Sequence, residues 1–264
     1  MARSLQPEQA IDGWRRWGDR LNSRPVLLKT LDGGRSNHSF LLDSDIGKLV
    51  LRINGAGSLL PGASRGNEIK TWQAASKQGI APPLLFVDNE NRYLVSTYID
   101  NDLPADPRHD PVIIGRAFRL LEACHRLEVD VSRIDYFGHI EHYWQLIEAG
   151  NRPPPPELDE QRAPMQRVLA SLIESNTPTG LCHHDPVIQN FVGTTGRLYL
   201  IDWEYAATGL QIMDYAALAI EWGLDNAVVL EHIKCDAELL NNAKSLYRYL
   251  CVLWEHSSAG AAFE

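Results

Sequence analysis

The sequence predicts an α+β fold in two lobes with a cleft between them. Three observations carry that expectation. Apolar residues alternate with period two through much of the first hundred positions. Helix-period apolar stripes fill most of the rest. Between the two lies DNDLPADPRHDP (100–111), rich in turn residues and without periodicity. The expected organisation is an N-terminal lobe over 1–99, a linker over 100–111 and a C-terminal lobe over 112–264.

Each element follows from local pattern. Residues 5–21 place Trp14, Trp17 and Leu21 on one face of a short helix. VLLKTL (26–31) and HSFLLD (38–43) read as strands flanking the Gly/Asn-rich turn DGGRSN (32–37), and KLVLRI (48–53) as a third. In that third strand Leu49, Leu51 and Ile53 point one way, Val50 and Arg52 the other. A Gly/Pro/Ser-rich loop covers 54–64. A helix over 65–79 follows, with Ile69, Trp72 and Ala75 on one face, stopped by Gly79 and Pro82-Pro83. LLFVD (84–88) and RYLVSTYI (92–99) form a further hairpin. Helices are then expected over 112–127, 139–150 and 158–175, the last preceded by the stiff NRPPPPE loop (151–157). RLYLID (197–202) reads as a strand, and helices over 212–224 and 237–256 end the chain.

Composition narrows the function. A chain of 264 residues with 44% hydrophobic and 22% charged residues is an ordinary globular protein. A formal net charge of −9 opposes a broad nucleic-acid surface and suits a cationic ligand. No apolar run approaches the roughly 20 residues of a membrane span. The N-terminus lacks an apolar signal core, and Cys124, Cys182, Cys235 and Cys251 show no paired spacing. A cytoplasmic protein with reduced thiols is expected, acting on a small molecule, as a monomer or homodimer.

LCHHDPVIQNFV (181–192) is the densest polar motif. His183, Asp185 and Asn190 stand as H-x-D-x-x-x-x-N, and Asp202 ends the strand that follows. The spacing suits phosphoryl transfer: one carboxylate orients an attacking hydroxyl, while a second carboxylate and an amide oxygen hold a hard cation. Two other readings compete. His183, His184 and Asp185 are possible zinc or iron ligands, although adjacent residues rarely share one compact metal site. Alternatively, the stretch is a polar loop with its histidine hydrogen-bonded in the core.

LCHHDPVIQNF followed by LYLIDWEYA resembles the phosphotransferase family of choline and ethanolamine kinases, aminoglycoside kinases and bacterial thiamine kinases, which share the bilobal fold of protein kinases. The similarity extends through LDGGRSNHSFLL, VLRI, NEIKTWQAASKQGIAPPLL and VSTYID, and covers most of 26–225. The resemblance implies ATP and Mg2+ as cofactors. It implies Asp185 as the catalytic aspartate that accepts or orients the substrate hydroxyl, and Asn190 and Asp202 as magnesium ligands. It assigns nucleotide contacts to Gly33, Gly34, Ser36 and Asn37 in the hairpin, to Arg52 and its helix partner Glu68, and to the hinge residues Thr97, Tyr98 and Ile99. His183 and Asp214 take structural roles. Arginine at 52 departs from the lysine common in the family but keeps the charge. The absence of G-x-G-x-x-G and of an A-P-E segment sets the chain apart from protein kinases.

The run IDWEYAATGLQIMDYAALAIEW is similar to choline, ethanolamine and thiamine kinases. It implies an acceptor site drawing on Glu204, Tyr205, Glu221, Trp222 and Trp254. Carboxylates and aromatics suit a cationic alcohol through charge and cation–π attraction. Aromatics at helical spacing are more often core, so one or two of Trp222, Tyr247, Tyr249 and Trp254 are expected in the pocket.

Overall fold

Leu49, Leu51 and Ile53 pack with Ile11, Trp17, Leu21 and Tyr93 into one apolar cluster, and this anchors the first lobe. The computed structural model describes residues 5–31, 37–55, 64–150 and 154–261. A five-residue α1 (Pro7–Ile11) and a 3₁₀ turn (Trp14–Arg16) lead into β1 (Val26–Leu31), β2 (Asn37–Asp43) and β3 (Leu49–Asn54). Then come α2 (Arg65–Lys77), β4 (Leu84–Val87) and β5 (Tyr93–Thr97). The five strands form one antiparallel sheet in the order β1-β2-β3-β5-β4. The single helix expected over 5–21 is instead broken at Gly13, the N-cap of the 3₁₀ turn.

The alternation in β3 decides where Arg52 goes. Its neighbours Leu51 and Ile53 face the apolar cluster, so Arg52 turns to the opposite side of the sheet, against α2. The Ser64 hydroxyl caps α2 by accepting the Asn67 N–H at 3.0 Å, and this sets Glu68 in the first turn. Gly79, at φ 70°, ends that helix region.

The second lobe is mainly helical. It contains α3 (Pro111–His125), α4 (Tyr136–Ala149), α5 (Pro156–Glu174), α6 (Gln211–Glu221), α7 (Asn226–His232) and α8 (Ala237–Ala261). Asp110 caps α3, accepting N–H groups of Val112 and Ile113 at 2.8 and 3.3 Å. The seven-residue α7 was not anticipated; it is too short to show a helical period. Trp144, Trp203 and Trp222 are central to a core that spans these helices.

Four short strands, β6 (Thr179–Cys182), β7 (Phe191–Thr194), β8 (Arg197–Leu200) and β9 (Ala207–Leu210), cross this lobe as two antiparallel pairs, β6 with β9 and β7 with β8. The ends of β6 and β8 lie together, because the Ile201 carbonyl meets the His183 Nε2 at 3.0 Å, and the Ile201 N–H bonds the Asn190 carbonyl at 3.0 Å. The loop 183–190 and the residues just after β8 are thereby joined at one edge. The lobes meet through the Leu200 N–H to the Ile80 carbonyl, 2.8 Å, and the Asp102 N–H to the Gly193 carbonyl, 2.8 Å. Among the described residues no helix is long and apolar enough to cross a membrane.

Candidate active site

The loop carrying Asp185 hangs from one buried carboxylate. Asp214, in the first turn of α6, accepts the backbone N–H groups of His183 and His184 at 2.9 and 2.8 Å, and the His125 Nε2–H at 2.9 Å. Burial alone would raise this carboxyl, but the His125 hydrogen bond and the neighbouring imidazoles bring it down to about 2. His184 is thereby held at φ 64°, a left-handed turn that swings the chain round before Asp185. Its Nδ1–H donates to the Tyr205 carbonyl at 3.1 Å, and its Nε2 accepts from the Tyr136 hydroxyl at 3.0 Å. A Cβ on Gly209 would lie 2.6 Å from both His184 Nε2 and Tyr136 Oη, so only glycine lets β9 run this close.

His183 is fully buried. Its Nε2–H donates to the Ile201 carbonyl at 3.0 Å, and its ring meets Trp203 edge-on at 4.8 Å. Burial lowers the pKa of both imidazoles, so both are neutral. Their bonds run into the protein, which removes the geometry a zinc or iron site on His183, His184 and Asp185 would need. His125, Cys182 and Asp214 have ligand atoms within 4.8 Å of one another. Both oxygens of Asp214 are already occupied there by the donors named above.

The charge of Asp202 reaches Asp185 across the loop edge. Burial, and next the Asp202 charge, push the Asp185 carboxyl up to about 7, against the lowering effect of the Asn190 hydrogen bond. The Asn190 amide donates to the Asp185 carbonyl and Oδ2 at 2.9 and 2.8 Å. Those bonds use the nitrogen and leave the amide oxygen for another partner. Asp202 follows β8 in the left-handed region, φ 64°. Its side chain is 35% exposed, yet its Oδ1 is buried without a hydrogen-bond donor, 3.6 Å from Arg52 Nη1. Burial raises this carboxyl, and Arg52 only partly opposes the rise.

Arg52 is not the solvent-facing strand residue that its type alone suggests. Its side chain is 7% exposed, pairs with Glu68 at 2.5 Å and lies over the Trp72 ring at 5.6 Å. Glu68, 1% exposed, divides its oxygens between Arg52 and Arg65, the latter at 2.9 Å. Arg65 also donates to the Asn37 side-chain oxygen at 2.7 Å and approaches Glu204 at 3.9 Å, while the Asn37 amide donates to Glu204 at 3.3 Å. Sequence reasoning missed Arg65. Its signal was there: a cation three residues before Glu68, just inside the Ser64 cap.

The donor set fits a hard divalent cation. Asp185, Asp202, Glu204 and Glu68 stand against Arg52 and Arg65. With all four carboxyls ionised, as a bound cation would favour, the set carries an excess of two negative charges, and the orphaned oxygen of Asp202 and the spare amide oxygen of Asn190 offer the cation ligands.

The remaining expected residues fall in several places. Gly33, Gly34 and Ser36 lie outside the described residues. Thr97, Tyr98 and Ile99 are half-buried where the sheet leaves for the linker; the Tyr98 N–H bonds the Lys48 carbonyl at 3.0 Å. Tyr205 and Glu221 are half-buried near Asp185. The Glu221 charge reaches Asp185, and the Tyr247 hydroxyl donates to Glu221 at 3.0 Å. Trp254 is half-buried against the core. Trp222 is 1% exposed and packs edge-on to Phe191 at 5.1 Å. Its indole is enclosed by core side chains, so it has no face to offer a ligand. Tyr249 is likewise core, accepting the Trp144 indole N–H at 2.8 Å.

A bilobal chain with two acids and an amide gathered at one loop edge is the architecture of phosphoryl transfer enzymes. The chain matches the model of the phosphotransferase enzyme family over residues 28–243 and belongs to that family. It is similar to the protein LicA of Haemophilus influenzae, 25% identical over 194 residues; these cover 72% of this chain and 56% of that one. The chain thus spans just over half the length of that relative. Its fold is similar to the choline kinase LicA of Streptococcus pneumoniae, with TM-score 0.72 and 22% identity over 90% of this chain and 88% of that one. A LicA structure in complex with AMP superposes with TM-score 0.74 and 20% identity, covering 97% of this chain and 91% of the other. The fold is therefore the bilobal, protein-kinase-like one.

Proposed function

We propose that this phosphotransferase moves the γ-phosphoryl group of ATP to the hydroxyl of a small cationic alcohol of the choline or ethanolamine type. One observation carries the reading. Asp185 and Asp202 are brought to one loop edge by Asn190, whose amide donates to Asp185 Oδ2 at 2.8 Å and whose carbonyl accepts the N–H of Ile201, the residue before Asp202, at 3.0 Å. That arrangement suits a hydroxyl-orienting acid beside a cation-binding acid.

In this mechanism the Asp185 carboxylate accepts the hydrogen bond of the acceptor hydroxyl and takes its proton. The alcohol oxygen forms a bond to the γ-phosphorus as the bond to the β-bridging oxygen breaks, giving a phosphate ester and ADP. The Asn190 amide fixes the Asp185 carboxylate by donating to its Oδ2. Arg52, held by Glu68, directs a forked cation toward the phosphates. Asn190 and Asp202 would hold Mg2+, which neutralises phosphate charge when bound.

The choice of a cationic acceptor rests on the surroundings of Asp185. The charges of Glu204 and Glu221 both reach it. Tyr205 lies near Asp185 and Tyr143, and the Tyr247 hydroxyl bonds Glu221. Carboxylates and aromatic rings beside the reacting group suit an ammonium centre. A coupled ADP-release assay over choline, ethanolamine, thiamine and aminoglycosides, with neutral and anionic alcohols as controls, tests the reading. Turnover is expected only with cationic alcohols, and Asp185→Ala is expected to lower kcat about 10²–10⁴-fold. Turnover confined to neutral or anionic acceptors, or full activity in Asp185→Ala, defeats it.

A further inference from the structure

Arg65 occupies a position that the proposed chemistry has not yet used. Its side chain is 16% exposed, and its guanidinium meets groups from three separate elements. Nη1 pairs with Glu68 of α2 at 2.9 Å and faces Glu204, beyond β8, at 3.9 Å. Nη2 donates to Asn37 of β2 at 2.7 Å. Asn37 in turn donates to Glu204 at 3.3 Å, so the triangle Arg65, Asn37, Glu204 is closed. Glu68 links this triangle to Arg52, and Arg52 faces Asp202. Two arginines of the first lobe thus share one buried glutamate, and each opposes one acid of the second lobe.

We propose that Arg65 is a positioning residue for the nucleotide phosphates. It holds Glu68, and through it Arg52, in register with Asp202. Through Glu204 it also fixes how closely the two lobes approach over the triphosphate. The physical reason is the division of Glu68 between two cations. Without Arg65, one Glu68 oxygen is left buried and unpaired, and the carboxylate rotates to take Arg52 in both oxygens. Arg52 then shifts away from Asp202, and Glu204 keeps only the Asn37 amide as a tie to the first lobe. Lysine at 65 carries the charge but lacks the fork that reaches Glu68 and Asn37 together. This inference rests on the phosphotransferase reading above.

The experiment compares Arg65→Met, Arg65→Lys, Glu204→Gln and the Arg65→Met/Glu204→Gln double variant with the parent chain. ADP affinity is measured by calorimetry with and without Mg2+. The Michaelis constants for ATP and alcohol are measured beside thermal melting. Arg65→Met is expected to weaken ADP binding and raise the ATP KM about ten-fold, with the alcohol KM within two-fold; Arg65→Lys falls between. The double variant is expected to lose less affinity than the product of the single losses, because both changes break one link. A purely structural role predicts lowered melting with ADP affinity and ATP KM unchanged at temperatures where the variant stays folded. That result, or full independence of the two sites, overturns the proposal. A parent that binds neither ADP nor ATP overturns the functional reading as well. A parent that binds while Arg65→Met binds equally overturns this inference alone.

Discussion

Asp214 and Asp185 belong to one loop system yet have opposite electrostatics. Asp214 is fully buried, accepts three hydrogen bonds and has its carboxyl drawn down to about 2. Asp185 is half-buried, receives hydrogen bonds from one amide, feels the charges of Asp202, Glu204 and Glu221, and has its carboxyl pushed up to about 7. The contrast separates two tasks. A carboxylate whose two oxygens both meet donors is part of the scaffold. A carboxylate surrounded by like charge and short of donors costs stability, and it persists where a cation or a reacting proton is to come.

The sharpest way to break this contrast is Asp214→Ala. It leaves the His183 and His184 backbone N–H groups and the His125 imidazole without their acceptor. Stability is expected to fall by about 3–5 kcal/mol, read as the midpoint of urea unfolding. A loss below 1 kcal/mol would show that the knot does not hold the loop.

Acid comes next. The Asp214 carboxyl is lowered by folding, so its stabilisation is present above the unfolded value near 3.8 and is lost as pH falls through about 2. His139 adds an earlier phase with the same sign. Burial lowers its imidazole to about 4, so the neutral ring is favoured in the fold, and stability declines as pH falls from about 6.5 toward 4. The His139 contribution is expected to reach about 2–3 kcal/mol by pH 4; over the same range Asp185 opposes it, because its raised carboxyl favours the fold as it protonates, so the His139 phase is read as the difference in urea midpoint between the parent and His139→Gln from pH 8 to pH 4. His139→Gln should flatten the first phase and leave the second.

The smallest effect has the opposite sign. With a chelator present, Asp185→Asn should raise stability at pH 8 by about 1–2 kcal/mol, because a carboxyl raised by folding opposes the fold wherever it is ionised. The gain should vanish as pH falls through 7 toward 4, where the native carboxyl is itself neutral. A variant that is less stable than the parent at pH 8 would mean Asp185 is paired after all.

Much of this was written in residue order. Period-two alternation located β1, β2 and β3 to within a residue or two, and the H-x-D-x-x-x-x-N run with Asp202 located the loop edge. Gly79 and Pro82-Pro83 marked the end of α2. The short α7 was not read, and of the small strands around the polar loop only β8 was given bounds, because four to seven residues carry too little periodicity to delimit an element. Trp222 looked like a pocket wall, since its spacing cannot tell an inward face from a cleft face.

The sequence by itself determined the two-lobed α+β character and the family, since these depend on local period and residue type. Only the tertiary structure decided that Arg52 is buried rather than solvated, that Arg65 joins Asn37, Glu68 and Glu204, and that Asp202 keeps an unpartnered oxygen. The reason is distance: Asn37 and Glu204 stand 167 positions apart along the chain, and no local pattern encodes a contact that forms only when two lobes close on each other.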